Sequence, residues 1–583
     1  MRNMTGVLRS FSGQRWAVAD CDEDAVRALV SAQNIPHVLA RLLAARGIAP
    51  DDVADYLNPT LKRFLPEPLI LKDMDKAVAR VMAAIVSGER IAVFGDYDVD
   101  GSCSAALLHD FLAAVGAPPR LYIPDRMTEG YGPSARALLR LKEKGAGLVV
   151  TVDCGAGATD ALVAAREAGL DVIVLDHHAV EREPLAFAHV NPNRRDDASG
   201  LGYVCAAGIA FLFLVALNRA LRDTGFYAAK VEPELRACLD LVGLATVCDV
   251  VPLVGVNRAF VIAGLAKLAK LERAGLAALA AVAGIAPPFT PYHLGFVLGP
   301  RINAGGRVGR CGLGVDLLTA TGSEVAQFAA ALDTHNRERQ AIEKIILDEA
   351  LAQAAAQDNF PFLFLAGEGW HPGVVGVVAG RLKERFAKPA FVAGFEGGLG
   401  RGSVRSIAGV NVGAIVRAAR EAGALDTGGG HAMAAGFSLR PEQKDRFHAF
   451  LTAEFAKYTD VAAAALTLDA VVSPAGATAS LATDIARAGP FGAGNPEPLI
   501  LVPDAQVLFV DVVGRDHVRL RLGGADGARL DAIAFRTAGT ELGRALLGAR
   551  GAKIHAAGRL RAEEWNGRQR VQLHLVDAAP ATA

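Results

Sequence analysis

The chain is predicted to be an α/β protein: two α/β domains joined by a long helix, with a small β-barrel at the C-terminal end. Three observations predict it. From about residue 89, short β-branched runs alternate with Ala/Leu-rich stretches, the pattern of a parallel sheet with crossover helices. Residues 323–357 carry one helical pattern without Gly or Pro, longer than ordinary globular helices. From about residue 466, short alternating strands take over, as in all-β barrels.

At 583 residues the chain exceeds a single core, and ordinary domain sizes suggest about three or four domains. The parsing is a helical N-terminal segment at 1–60, a first α/β domain at 61–322, a linking helix at 323–357, a smaller α/β domain at 358–460 and a barrel at 461–583. Strands of the first domain are IAVFG (91–95), LVVTV (148–152) and DVIVL (171–175). The second domain opens with FLFLAG (362–367), then a helix over about 374–386 and a glycine-rich stretch to Gly436. In the barrel, VRLRL (518–522) and RVQLHLV (570–576) read as strands, the latter after an Asn566-Gly567 hairpin turn. A barrel of the OB type is expected, an architecture common among single-strand binders. Trp565 and Phe535 read either as stacking platforms or, as the simpler expectation, as barrel-core aromatics.

Hydrophobic residues at 52% and charged residues at 21% make a globular composition. The longest apolar run, 204–217, is shorter than the roughly 18–20 residues of a membrane span and contains Gly208, so it reads as a buried helix. Residues 1–20 hold scattered Arg but no apolar stretch, which argues against a secretory signal and for a cytosolic protein. Seven Cys with no C-x-x-C pair predict reduced, mostly buried thiols rather than disulfides or structural zinc. A net charge of −1 removes any global basic excess, so phosphate binding is expected only at local clusters: Arg301, Arg307 and Arg310, and Arg401 with Arg405.

Parallel sheets bind ligands beyond the carboxyl ends of their strands, and each run of the first domain ends in acid or imidazole. GDYDVDG (95–101) places Asp96, Asp98 and Asp100 at alternate positions, projecting to one side, with Gly101 permitting a sharp turn into the next helix. By itself the pattern fits a calcium loop or a solvated turn as well as a catalytic metal site. A buried strand precedes it, however, and Leu107 stands where an EF-hand places Glu. Asp153 in TVDCG, the Asp176-His177-His178 triplet and Asp249 in ATVCDVVPL add ligands that suit Mn²⁺ or Mg²⁺.

In that order, GDYDVDG, VDCG, DHH and VCDVVPL resemble the four motifs of the DHH phosphoesterase superfamily. YIPDRMTEGYG (122–132), GPRINAGGR (299–307), LDTHNRERQ (332–340), WHPGVVGVVAGRL (370–382), GSVRS (402–406), GGGHAMAAG (428–436) and PFGAGNPEP (490–498) are similar to the RecJ exonucleases within it. The resemblance implies DHH and DHHA1 domains followed by the OB-type barrel. It implies that Asp98 and Asp100 each bind one metal, that Asp153 bridges the two, and that His177 and Asp249 complete the second site. Asp96 is a further ligand or an outer partner, and Phe94 stands where many members carry a metal-binding His. His178 either contacts a phosphate or leaving oxygen or orients its neighbour.

Arginine forks and glycine-rich backbone suit phosphate oxygens. The resemblance accordingly implies that Ser403 and Arg405, with Arg126 and an Arg of 301–307 (Arg301 or Arg307), hold the terminal phosphates, and it places His431 in the second domain's signature loop. The implied activity is 5′-to-3′ digestion of single-stranded DNA to mononucleotides in recombination and repair, by a monomer with two Mn²⁺ or Mg²⁺ ions. Single-strand-binding protein and a helicase are the implied partners. The alternatives are a phosphodiesterase for short oligonucleotides or cyclic dinucleotides, and a non-cleaving scaffold. The barrel and long helix speak against the first, the retained ligands against the second.

Overall fold

A computed structural model describes residues 9–126, 128–180, 185–357, 359–458, 465–565 and 568–581. The chain divides into two compact units: Glu67–Asp249 with Gly264–Ala462, and Met1–Pro66 with Val250–Ala263 and Ala463–Ala583.

The larger unit holds two sheets. The first is five-stranded and wholly parallel, in the order Arg120–Tyr122, Ile91–Gly95, Leu148–Val152, Asp171–Leu175, Ala188–Val190. Of its three inner strands, Ile91–Gly95 and Leu148–Val152 are buried at every residue, which is why they read as continuous apolar runs rather than alternating ones. Phe94 lies fully buried in this core with its ring 5.2 Å from that of Tyr122.

The second sheet runs Thr427–Gly430, Ala434–Leu439, Leu399–Arg405, Ala390–Glu396, Leu363–Glu368, and only its last pair is parallel. Its core is aromatic, built on Phe362, Phe391, Phe437, Phe447 and Phe455. The helix Glu324–Ala355 lies against both domains of this unit. Asp333 near its start pairs with Arg301, whereas Glu343 pairs with Arg381 and Glu349 accepts from the Trp370 indole. Both halves of the helix are therefore tethered, which makes it a shared wall between the two domains.

The smaller unit contains a six-stranded sheet, Ala470–Val471, Ile500–Val513, His517–Gly523, Arg529–Ala534, Arg568–Pro580, Lys553–Trp565, whose last five strands form a barrel. It is closed by pairing of Ile500–Val513 with Lys553–Trp565, so no edge is left along that seam. The expected Asn566-Gly567 turn lies outside the described residues. The N-terminal segment, expected as a separate element at 1–60, belongs to this unit. Trp16–Val18 pairs in parallel with Leu466–Leu468, and the Trp16 indole donates to Asp577 at 3.0 Å. No sequence periodicity announces a pairing across 450 residues.

In the same unit Asn495 donates to the carbonyls of Ala488 and Pro490, and the Arg258 guanidinium lies 4.0 Å from the Tyr56 ring while donating to Tyr56 and Gly489 carbonyls. The PFGAGNPEP motif thus has a structural use, locking chain segments together. All seven cysteines are free. Among the described residues no helix is long and apolar enough to cross a membrane.

Candidate metal centre and phosphate cradle

The carboxyl ends of three adjacent parallel strands deliver their polar residues to one rim. After Ile91–Gly95 the chain turns sharply: a Cβ on Gly101 would fall 2.6 Å from the Asp96 carbonyl oxygen, so only glycine permits the approach. Asp98 caps the helix Val99–Ala114, accepting from the Gly101 amide at 2.9 Å. Asp100, in its first turn, is 1% exposed, and its two oxygens accept from Ala206 and Ala207 at 2.7 and 2.8 Å. After Leu148–Val152, Asp153 adopts φ of 59°, a left-handed conformation that is strained for a residue carrying a Cβ. After Asp171–Leu175 come Asp176, His177 and His178.

These side chains converge. His177 Nε2 lies 3.3 Å from Asp153 Oδ1, 3.6 Å from Asp249 Oδ2 and 3.8 Å from Asp100 Oδ2. Ligand atoms of Asp96, Asp98 and Asp153 lie within 4.8 Å of one another, as do those of Asp100, His177 and Asp249, and of Asp153, His177 and His178. Asp249 follows the last residue of the helix Leu239–Cys248. A carboxylate there faces the negative end of the helix dipole, a placement that a nearby cation makes favourable.

The electrostatics point the same way. Burial, then the neighbouring Asp98 carboxylate, pushes Asp100 up to about 7, and burial with Asp100 and Asp98 pushes Asp249 up to about 9. Asp96 and Asp153 are driven well above the usual carboxylate range by burial and by Asp98. Burial and the adjacent His178 lower His177 to about 4, leaving a neutral imidazole with a lone pair. Asp96 Oδ1, Asp153 Oδ1, Asp249 Oδ2 and His177 Nε2 are buried without a hydrogen-bond partner. Partnerless buried acceptors of this kind are costly unless a cation satisfies them, and hard oxygen donors with one imidazole suit Mn²⁺ or Mg²⁺.

Asp176 has a different task. Its oxygens accept from the amides of Ala156, His177 and His178 and from His178 Nδ1 at 2.7 Å. Burial alone would raise its pKa, yet the hydrogen bond and charge of His178 hold it below the usual range. In turn, burial alone would lower His178, but the bond to Asp176 raises it to about 9. Asn191 and Asn193 donate to the carbonyls of His178 and His177. The sequence reading gave Asp176 no role apart from its neighbours and passed over Tyr131, Asn191 and Asn193. The Asn-Pro-Asn run (191–193) carried no signal, because its partners at the triplet are backbone carbonyls.

Opposite the acidic rim lies a cationic cluster. Arg307 is part-buried and donates to the Gly373 carbonyl at 3.0 Å. Burial, then repulsion from Arg126, Arg339 and Arg405, lowers it to about 10. Arg405 donates to Ser403 Oγ at 2.8 Å and is lowered by burial and by Arg126. Arg339, which the sequence reading did not single out, is paired with Glu343. Arg126 stands 5.2 Å over the Tyr97 ring. Arg301 is placed otherwise: it pairs with Asp333 at 3.0 Å and donates to the Val297 carbonyl, which commits it to joining helices.

His431, on the second domain, is exposed with its ring stacked 6.2 Å from His178. With Tyr131, Asn411 and Arg417 they border a groove of about 1030 Å³ that opens beside the metal centre. On the barrel, Phe535 is 48% exposed and contacts His517 and His574 edge-on, so it is not a core aromatic as expected. Phe509, 39% exposed with Arg519 over its ring at 5.5 Å, is a second exposed aromatic that the sequence did not single out. The side chain of Trp565 lies outside the described residues.

Comparison with known proteins identifies the domains that carry these residues. Residues 90–246 match the DHH family N-terminal domain, 359–457 the DHHA1 domain and 468–577 the RecJ OB domain. The chain is 34% identical over 585 residues to the single-stranded-DNA-specific exonuclease RecJ of Bacillus subtilis, covering 97% of this chain and 71% of that protein. It is 35% identical over 529 residues to the RecJ of Escherichia coli, covering 86% of this chain and 89% of that protein. Among solved structures, RecJ of Thermus thermophilus in complex with Mn²⁺ superposes with a TM-score of 0.81 at 29% identity, covering 98% of this chain and 80% of that one. The Mg²⁺ complex of the same protein gives 0.76 at 28% identity, with coverage of 98% and 79%.

Proposed function

The chain belongs to the RecJ family of single-stranded-DNA-specific exonucleases, and from that premise we propose that it degrades single-stranded DNA from the 5′ end to mononucleotides by two-metal phosphodiester hydrolysis. One observation carries the proposal. Partnerless buried carboxylate and imidazole atoms stand at the sheet rim, opposite arginines whose charge is only partly compensated. That is the pair of surfaces a phosphodiester bridging metal ions and cations requires.

Asp96, Asp98 and Asp153 would hold one cation and Asp100, His177 and Asp249 the other, with Asp153 between them. When bound, a pair of divalent ions acidifies a water and stabilises the attacking and leaving oxygens of an in-line displacement. The remaining work falls to the chain itself. Neutral His177 offers a lone pair, and Asp176 keeps His178 protonated so that it donates a charge-assisted hydrogen bond to a phosphate oxygen. Arg126, Arg307, Arg405 and Ser403 hold the terminal phosphates, which sets the direction of digestion. His431 lines the path of the strand from the second domain. The barrel captures incoming strand on exposed Phe509 and Phe535 and their basic neighbours. The protein acts in recombination and repair, in the cytosol, as a monomer supplied with strand by a helicase and a single-strand-binding protein.

The test is digestion of long single-stranded DNA labelled at either end, with Mn²⁺ or Mg²⁺, beside the duplex and an Asp153→Ala variant. Early release of 5′-labelled mononucleotide from the single strand alone, lost in the variant, is expected. Binding without cleavage under every metal would instead make the chain a scaffold.

A further inference from the structure

Tyr131 closes the YIPDRMTEGYG segment, and no step above uses it. Its ring is exposed, 53% of the residue being accessible, yet its hydroxyl lies 3.0 Å from the Asp153 carbonyl and 3.1 Å from His178 Nδ1. A phenol has one proton to give. The carbonyl is an acceptor only, so the proton goes to Asp153, and the hydroxyl oxygen is left against the edge of His178. Asp153 needs such a restraint. Its left-handed backbone is held on the amide side by the Leu175 carbonyl at 3.1 Å, and on the carbonyl side by Tyr131.

The loop that brings Tyr131 there is bonded to itself. Asp125 accepts from the Thr128 amide and hydroxyl, the Asp125 amide donates to Glu129, and Glu129 accepts from the Tyr122 hydroxyl. Gly130 and Gly132 flank Tyr131 with φ of 83° and 77°, conformations that glycine alone adopts without strain. Arg126 leaves the same loop toward the arginine cluster. Arg126 thus turns to the proposed phosphate site and Tyr131 to the proposed bridging carboxylate.

We propose that Tyr131 is a positioning residue for the metal centre: its hydroxyl pins the Asp153–Cys154 peptide, and through it the carboxylate placed between the two cations, while bracing His178. The inference rests on the metal-centre reading above and extends it to a residue that touches neither cation. Loss of the hydroxyl leaves every ligand in place but frees the strained peptide that aims one of them.

The test uses the full chain with Tyr131→Phe and, separately, Tyr131→Ala, after their folding is checked by circular dichroism. Mn²⁺ binding is measured by calorimetry without DNA, and kcat and KM are measured on long 5′-phosphorylated single-stranded DNA. Tyr131→Phe is expected to weaken Mn²⁺ binding about tenfold, the usual size for an outer partner of a metal ligand. Its kcat should fall about as much, with KM within about twofold of the parent, and part of the rate should return at saturating Mn²⁺. Tyr131→Ala, which also removes the groove wall, should raise KM as well. Parental Mn²⁺ affinity and kcat in Tyr131→Phe, with a raised KM only in Tyr131→Ala, would overturn the proposal and leave Tyr131 a DNA contact. A parent protein that neither binds Mn²⁺ nor digests DNA would instead sink the reading on which it rests.

Discussion

Replacing Arg307 by Met should separate stability from function. Burial and three neighbouring arginines depress Arg307 from 12.5 to about 10, and at ~1.36 kcal/mol per unit this is ~3 kcal/mol disfavouring its charged form. Solvent reaches part of the side chain and screens this to ~1–2 kcal/mol. The methionine loses the hydrogen bond to the Gly373 carbonyl, which offsets ~1 kcal/mol, and keeps most of the buried stem. Without DNA the variant should therefore be neutral or up to ~1 kcal/mol more stable, whereas most substitutions destabilise by about that amount. Function should move the opposite way. Loss of charge-assisted bonds to a phosphate, each worth ~1.5–3 kcal/mol, should reduce the preference for a 5′-phosphoryl over a 5′-hydroxyl end by roughly 10- to 100-fold. Urea unfolding gives the first quantity, and competitive digestion of the two substrates gives the second. Destabilisation by more than ~1 kcal/mol together with an unchanged preference would show that Arg307 is a structural arginine.

Asp176→Asn should remove the partner that raises His178 to about 9. A histidine so raised stabilises the fold fully below its unfolded pKa near 6.5, and that contribution is lost as pH climbs through 9. Metal-free parent protein should thus lose ~1–2 kcal/mol of stability between pH 6.5 and 9.5 that the variant does not lose, after allowance for solvent at a side chain 32% exposed, as measured by urea unfolding at each pH. Mn²⁺ should stabilise the parent by ~2.7 kcal/mol at a hundredfold excess over its dissociation constant. Its affinity should rise between pH 7 and 9, because Asp100 and Asp249 hold protons that the ion must displace; calorimetry in buffers of different ionisation enthalpy would count those protons. Gly101→Ala should abolish Mn²⁺ binding and cost ~1–3 kcal/mol of stability by overpacking, since the new methyl meets backbone at Asp96.

The two kinds of information divide along a physical line. The strands Ile91–Gly95, Leu148–Val152 and Asp171–Leu175 coincide with their expected spans, because a strand buried on both faces must be written as an unbroken apolar run. The helix Glu324–Ala355 was legible for a similar reason: its pattern contains no residue able to stop it. Phe535 was misjudged, since an aromatic in an alternating strand does not say which face is solvated.

Single residues therefore carried the chemistry as far as type and order. Aspartates and histidines at successive strand ends converge on one rim, and the acid-rich motifs pointed to a cation site only together with the strands that precede them and the family resemblance. What the order of residues could not contain is the charge environment that contacts between distant segments create. Arg301 and Arg307 are alike in sequence, but one pairs with Asp333 while the other donates to a carbonyl among three neighbouring arginines that outweigh the pull of Asp98. Asp176 and Asp153 both end strands; the first is filled by four donors and the second keeps an oxygen without a partner. Whether a charged group becomes a ligand, a cradle or a strut depends on which donors and acceptors remain unsatisfied around it, and that balance exists only once the chain has folded.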